Sequence, residues 1–580
     1  MSCLSKLFSY ILNNRLQKFL DRNDVICNSQ IGFQPKARTV DHMFVLRTII
    51  DKYTQNKVKL YACFVDFAKA FDTVLHSVLL HKLCNIGMNG QFFNIIKSMY
   101  IENYLKVRIG DVLTKPIHLE RGVRQGDNSS QNLFKICVND LPTIFNEDDA
   151  PIDLNSNSVN CLLYADDLIL LSRTEKGLQS CLNKLSKYCD EFGLSVNLKK
   201  TKIVIFCKSG RTPKLIFTYK GEIVNCTTSF KYLGIIFTSN GTFSSCQTDL
   251  HKRALKAYFK LLKVFEGVKA NTNTYIHLFD HTIKPILLYG SEVWGTINPF
   301  STFVKRKKDE YSIEMSADNF YCEKLHIKFL KYISGVHKKA SNEAIMGELG
   351  RYPLYVDILV NTIKYLSRLN DSDSKKLIFH AYRENIAMYN IGKNCWMSSV
   401  NFLLNNLGID SNNLLDIVSK TKLSLIDRFK SKWELSMKNY ASQQVGKLRT
   451  FSLFKNKFMK EKYFDIIKKF EVRKCFTSFR ISSHNLEIER GRYKKLNVSD
   501  RKCKICSQDF IEDEIHFIFE CQRYKSERKI LFSYIDGICP NFRNLSNENK
   551  LVWLMTNENV NVINVFAEYI YSLFQLRNNH

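Results

Sequence analysis

The sequence predicts an α+β domain over about its first 240 residues and a mostly helical remainder. Three observations carry that prediction. Short apolar runs of strand length alternate with stretches of helical periodicity up to that point. Beyond it, strand-like runs become rare and basic amphipathic segments take over, as in His251 to Phe265 and Tyr321 to Ile333. At 580 residues the chain also exceeds what one hydrophobic core holds, so roughly two to four domains are expected.

The elements follow in order. Leu4 to Leu20 reads as an amphipathic helix, with Leu4, Leu7, Phe8, Ile11, Leu12, Leu16, Phe19 and Leu20 near helical spacing. Lys59 to Phe67 reads as a buried strand. Val74 to Ile86 reads as a helix with Leu75, Val78, Leu79 and Leu83 on one face and Gly87 as its stop. Leu162 to Leu171 is an apolar run split by two acids, which suits a hairpin. Leu178 to Phe192 is helical, and Thr201 to Cys207 is a strand through Ile203, Val204, Ile205 and Phe206. Tyr232 to Phe237 reads as one more short strand. A break is expected within Ile391 to Asn413, which is rich in Asn, Gly and Ser.

Charge narrows the partners. Lys and Arg number 85 against 56 Asp and Glu, a net +29 that favours polyanions such as nucleic acid or an acidic membrane surface. With 45% apolar and 24% charged residues, the composition is that of a folded chain, not a disordered one. No apolar run approaches the roughly 20 residues of a membrane span, and the N-terminus lacks a signal-peptide pattern. Eighteen cysteines scattered through a large chain are expected as reduced thiols in cytoplasm or nucleus, not as secreted disulfides.

Three acids stand out by position. Asp66 ends the apolar run Cys63-Phe64-Val65-Asp66-Phe67, and Asp166 and Asp167 lie at the expected hairpin tip of Leu162 to Leu171. Acids in such surroundings need a cation or hydrogen-bond partner. If strand and hairpin are neighbours in one sheet, the three carboxylates converge at one edge as hard oxygen ligands suited to Mg²⁺. Two such ions can activate an attacking hydroxyl and stabilise a leaving pyrophosphate. The same residues, taken alone, also fit a polar turn and an N-cap ahead of the next helix.

Six segments in order decide between these readings. Tyr164-Ala165-Asp166-Asp167 matches the YADD signature of the reverse transcriptases of non-long-terminal-repeat (LINE-type) retrotransposons, and Phe64 to Asp72 resembles their first aspartate motif. Arg121-Gly122-Val123-Arg124-Gln125-Gly126-Asp127 is similar to their glycine-rich motif, and Gln30-Ile31-Gly32-Phe33 with Arg38-Thr39 and Asp41 to their fingers motif. Asn197 with Lys200-Thr201-Lys202, and then Tyr232-Leu233-Gly234, resemble the two motifs that close the palm. The resemblance implies a right-hand polymerase fold whose fingers and palm hold an antiparallel sheet. It implies Asp66, Asp166 and Asp167 as holders of two Mg²⁺ (or Mn²⁺) ions and Lys200 as the group that meets the leaving pyrophosphate. Phe71 would exclude a 2′-hydroxyl, Gln125 and Gly126 would let backbone approach the incoming nucleotide, and Lys36 and Arg38 would grip triphosphate or template.

The implied organisation is fingers and palm at 1–240, a thumb-like region at 241–350, a helical connector at 351–470 and a nucleic-acid-binding region at 471–580. Lys284 to Gly295 also resembles a segment that follows the polymerase in this family. The implied partners are template RNA, primer or target DNA and deoxynucleoside triphosphates, with no membrane and no obligate protein partner. Two departures carry a second reading, a truncated relic that binds nucleic acid without extending a primer. Ser129-Ser130-Gln131 stands where the family has Leu-Ser-Pro, and the chain opens inside the family's first fingers helix, without its endonuclease.

Near the C-terminus, Cys503-x2-Cys506-x9-His516-x4-Cys521 offers three thiolates and an imidazole at zinc-like spacing. Four ligands leave no open position, so a structural Zn²⁺ fits better than a catalytic one. The segment resembles the Cys/His knuckle in which many of these retrotransposon proteins end. With Arg480, His484 and the flanking Lys and Arg residues, the region is expected to grip RNA or DNA through phosphates.

Overall fold

The computed structural model describes residues 3–124, 126–211, 213–266, 270–296, 320–410, 416–443, 446–506 and 508–578. Two compact units interleave along the chain. The first comprises Met1–Asp249, Gly290–Lys308 and Asn361–Asn406, the second Leu250–Tyr289, Asp309–Val360 and Leu407–His580.

A five-stranded sheet organises the first unit. Its strands are β1 (Leu60–Asp66), β2 (Cys161–Tyr164), β3 (Asp167–Ser172), β4 (Lys202–Phe206) and β5 (Cys226–Thr227), in the order β5-β4-β1-β3-β2. All neighbours run antiparallel except β4 and β5. Every residue of β1 except its last is buried, which explains a continuous apolar run where a half-exposed strand would alternate. Tyr61, Cys63 and Val65 of one face join a core that includes Leu79 and Leu83 of the helix His76–Asn85. Leu178, Leu182 and Leu185 of the helix Glu175–Phe192 complete that face. On the other face Phe64 stacks on Phe230 with ring centroids 4.4 Å apart.

Local chemistry sets the ends of these elements. Thr174 caps the helix Glu175–Phe192 by accepting from the Gly177 N–H, and Gly193, at φ +70°, ends it. The helix His76–Asn85 takes Leu75 as its N-cap, so Asp66 plays no capping role there. The single strand expected over Tyr232 to Phe237 is instead a hairpin, Ser229–Tyr232 against Ile235–Thr238. Leu233 and Gly234 both have positive φ, 45° and 90°, and turn the chain in two residues. The first helix runs Cys3–Arg22 and buries Leu12, Leu16 and Leu20.

The second unit is helical in its described elements. Tyr321–Ile333 is a helix over the predicted range, with Leu325, Phe329, Leu330 and Ile333 buried. Arg480 and Glu348 form a buried pair at its heart, with Nε–Oε2 at 2.8 Å and Nη2–Oε1 at 3.0 Å. Among the described residues no helix is long and apolar enough to cross a membrane, and all eighteen cysteines are free.

Candidate active site

Sheet register brings the three acids together. β1 ends at Asp66 and its antiparallel neighbour β3 begins at Asp167, and these two residues are direct register partners. Tyr164 pairs with Asp167 across the hairpin, leaving Ala165 and Asp166 as the two turn residues. Ala165 has φ +56°, the left-handed conformation that a two-residue turn between twisted strands demands at its first position. The backbone of Asp66 is held as well. Its N–H donates to Thr201 Oγ1 at 3.2 Å, and its carbonyl accepts from the Asn197 N–H at 2.8 Å.

Electrostatics at this edge are repulsive. Burial raises the Asp167 carboxyl to about 6, and the nearby Asp166 and Asp66 carboxylates push in the same direction. Lys200 Nζ lies 3.5 Å from Asp66 Oδ2, with its own side chain mostly exposed. Among the described residues, neither Asp166 nor Asp167 has a basic partner within ion-pair distance. Three carboxylates with one loosely held lysine are an oxygen donor set matched to a hard divalent cation.

The nucleotide-site candidates fall into two groups. Phe71 and Gly126 line one cavity of about 510 Å³, together with Phe33, Val123 and Gln131. Phe71 stacks on Phe134, with centroids 4.6 Å apart, and its carbonyl accepts from the Val123 N–H at 2.8 Å. Lys36 and Arg38 line a different cavity, of about 800 Å³, shared with Lys364 and Arg368. There Arg368 donates to Asp41 Oδ2 at 2.8 Å and to the Lys36 carbonyl. Gln125 lies outside the described residues. Ser129 and Ser130, of the segment that departs from the family pattern, are buried and bonded. Ser129 N and Oγ both donate to Asp127 Oδ1, at 2.8 and 2.7 Å, and Ser130 Oγ donates to the Arg124 carbonyl at 2.6 Å.

The C-terminal ligand set also converges. One ligand atom from each of Cys503, Cys506, His516 and Cys521 lies within 4.8 Å of all the others. The Cys503 N–H donates to the Phe510 carbonyl, closing the loop that carries the first two cysteines, and the His516 N–H donates to Asp513 Oδ1. A hydrogen bond shared with Cys521 lowers the Cys503 thiol and raises that of Cys521. The neighbouring acids brace the loop: Glu512 takes Arg577 through two bonds of 2.8 Å, and Glu514 takes Arg449 at 2.6 Å. Arg480 and His484 do not offer themselves to phosphates. Arg480 is buried against Glu348, and the buried His484 side chain pairs with Glu514 at 3.0 Å.

The positioning roles of one residue and one segment escaped sequence reasoning. Thr201 stood in a recognised motif without an assigned role, and its hydroxyl faces the Asp66 backbone. The segment Ser29 to Gly32 runs beside β2, with Ile31 N–H donating to the Leu163 carbonyl at 3.1 Å and Leu163 N–H to the Ser29 carbonyl at 2.8 Å. No local signal in the sequence announces a contact between stretches so far apart.

Comparison with known proteins finds similarity over the same N-terminal stretch. Residues 1–237 match the family model described as reverse transcriptase (RNA-dependent DNA polymerase). The RNA-directed DNA polymerase from the mobile element jockey of Drosophila melanogaster is 24% identical over 63% of this chain and 38% of its own length. The Pol polyproteins of type-1 retrotransposable element R2 are similar too. That of Popillia japonica is 28% identical over 44% of this chain and 41% of its own, and that of Nasonia vitripennis 32% over 40% and 23%. The chain thus spans between 23% and 41% of the length of these relatives. A solved apo telomerase from Candida tropicalis shares 13% identity over 64% of this chain and 59% of its own at a TM-score of 0.31, too low to bear on the fold. Residues 1–237 thus match the reverse transcriptase family model, and the chain is similar over part of its length to the RNA-directed DNA polymerases of mobile elements such as jockey and to the Pol polyproteins of R2 elements.

Proposed function

We propose that this chain is an RNA-directed DNA polymerase that copies template RNA into DNA from a primer 3′-hydroxyl. The observation that carries the reading is the pairing of Asp66 with Asp167 beside Asp166, at one edge of one sheet. In this reading the three carboxylates hold two Mg²⁺ ions (Mn²⁺ serving in their place), which supply nucleophile activation and charge neutralisation when bound. Their fit rests on three carboxylates gathered at one sheet edge, where burial and then the neighbouring Asp166 and Asp66 raise Asp167, a cost that a divalent cation relieves.

This chain's own groups do the rest. Lys200, exposed and only 3.5 Å from Asp66, swings to the leaving pyrophosphate and supplies a proton or positive charge there. Phe71, fixed by its stack on Phe134, closes the cavity on the sugar side and selects against a 2′-hydroxyl. Gly126, with open space where a Cβ would stand, and its neighbour Gln125 admit the base pair and triphosphate. Lys36 and Arg38 line a separate cavity with Lys364 and Arg368, so of triphosphate and template they suit the template strand. Catalysis is then mainly positioning and electrostatic stabilisation. The cluster Cys503, Cys506, His516 and Cys521 takes a structural Zn²⁺, since four soft ligands meet with no open position.

Primer extension on poly(rA)/oligo(dT) with Mg²⁺ tests the proposal. Asp66→Ala and Asp166→Ala should each lose at least about 100-fold in rate, the scale of a removed transition-state contact. A folded wild-type protein that binds RNA and extends no primer establishes the relic reading instead.

A further inference from the structure

Gln30 occupies an unusual place for a glutamine. It is 1% exposed, belongs to the segment beside β2, and directs its side chain at the aspartate turn. Its Oε1 accepts from the Ala165 N–H at 3.0 Å and from the Gly32 N–H at 2.8 Å, while its Nε2 donates to the Ala165 carbonyl at 3.4 Å. Both polar groups of the left-handed turn residue are therefore held by one side chain. Gly32 makes the approach possible: a Cβ there would stand 2.2 Å from Ala165 N. A two-residue turn with an alanine at positive φ costs conformational energy and needs outside support to persist.

We infer that Gln30 is a positioning residue that locks the Ala165 peptide and thereby fixes where the Asp166 and Asp167 carboxylates stand relative to Asp66. The inference rests on the polymerase reading for its consequence, the geometry of the cation site, but not for the lock itself. Asp166 is joined to the held peptide directly, and Asp167 starts the strand that follows, so a rotation of that peptide swings both acids. Without the glutamine, Ala165 loses an acceptor in a place water does not reach, and the turn relaxes to conformations an alanine prefers. The carboxylates then meet less often in the arrangement that shares a cation.

Two measurements on the full chain test this. In Gln30→Met, which keeps length and volume but removes the polar ends, amide hydrogen exchange at Ala165 should speed by about ten-fold, the scale of one lost hydrogen bond. Exchange in the interior of β1 and β3 should stay at the wild-type rate. In primer extension, the Mg²⁺ concentration for half-maximal rate should rise by about ten-fold while RNA affinity is unchanged, a split that general loss of stability does not produce. Gly32→Ala, which forces the two segments apart from the other side, should reproduce both effects. Wild-type exchange at Ala165 in Gln30→Met, or acceleration spread evenly through β1 and β3, overturns the lock. A localised acceleration with an unchanged Mg²⁺ midpoint overturns its link to the cation site. Should the wild-type protein itself not extend primers, the polymerase reading falls, and the exchange measurement still judges the lock on its own.

Discussion

His42 lies behind the aspartate turn, its ring centroid 6.3 Å from that of Tyr164 and its Nδ1 3.2 Å from the Tyr232 hydroxyl. Burial lowers its pKa from an ordinary 6.5 to about 3, so the folded protein keeps this imidazole neutral where the unfolded chain takes a proton. The unfolded state then binds more protons between those two values, and stability rises with pH across that window. The contribution of neutral His42 is complete above about pH 6.5 and is lost as pH falls towards 3. Urea unfolding of the wild type should weaken between pH 6.5 and 4, and His42→Asn, which keeps an acceptor near Tyr232 but does not titrate, should weaken less. Identical pH profiles would place the acid sensitivity elsewhere. At this scale the sequence displayed the chemically obvious residues, Asp66, Asp166 and Asp167, because acids interrupting apolar strands are costly and therefore conspicuous. Gln30 and His42 were hidden because a polar side chain reveals its burial only through partners distant in the chain.

At the scale of elements, periodicity served well wherever one face is buried. β1, the hairpin β2–β3, the helix Glu175–Phe192 and the helix Tyr321–Ile333 all stand where apolar spacing put them. Tyr232 to Phe237 misled because Leu233 is apolar and hides a turn, although Gly234 in mid-run was an available warning. The Cys/His loop is an element of a different sort, organised by ligand spacing and braced by Glu512 with Arg577 and Glu514 with Arg449. If Zn²⁺ holds it, the purified protein carries one zinc, and Cys503→Ser should lose that zinc and melt this region at lower temperature. Nucleic-acid affinity should fall with it. Unchanged zinc stoichiometry in the variant rejects the ligand assignment. Arg480 and His484 show the opposite lesson: basic residues near such a loop look like phosphate contacts in sequence, yet here both are consumed by buried acids.

For the whole molecule, the +29 charge predicts association governed by counterion release. Affinity for single-stranded RNA should fall by about 100- to 1000-fold between 50 and 200 mM salt, as for a protein neutralising around six phosphates. Asp66→Ala should keep that dependence, since it removes no cationic contact; a parallel loss of binding would mean the aspartate serves folding. Apolar spacing was enough by itself to determine an α+β domain followed by helices, and motif order and ligand spacing singled out three acids and a metal-like Cys/His set, because each is a local pattern written in consecutive residues. Tertiary structure alone decided that Asp66 faces Asp167, that Phe71 and Gly126 share a cavity from which Lys36 and Arg38 are separate, and that the two compact units interleave along the chain. Register, cavities and unit boundaries arise from contacts between residues far apart in sequence, where packing and hydrogen-bond satisfaction select one arrangement among many that the local patterns allow.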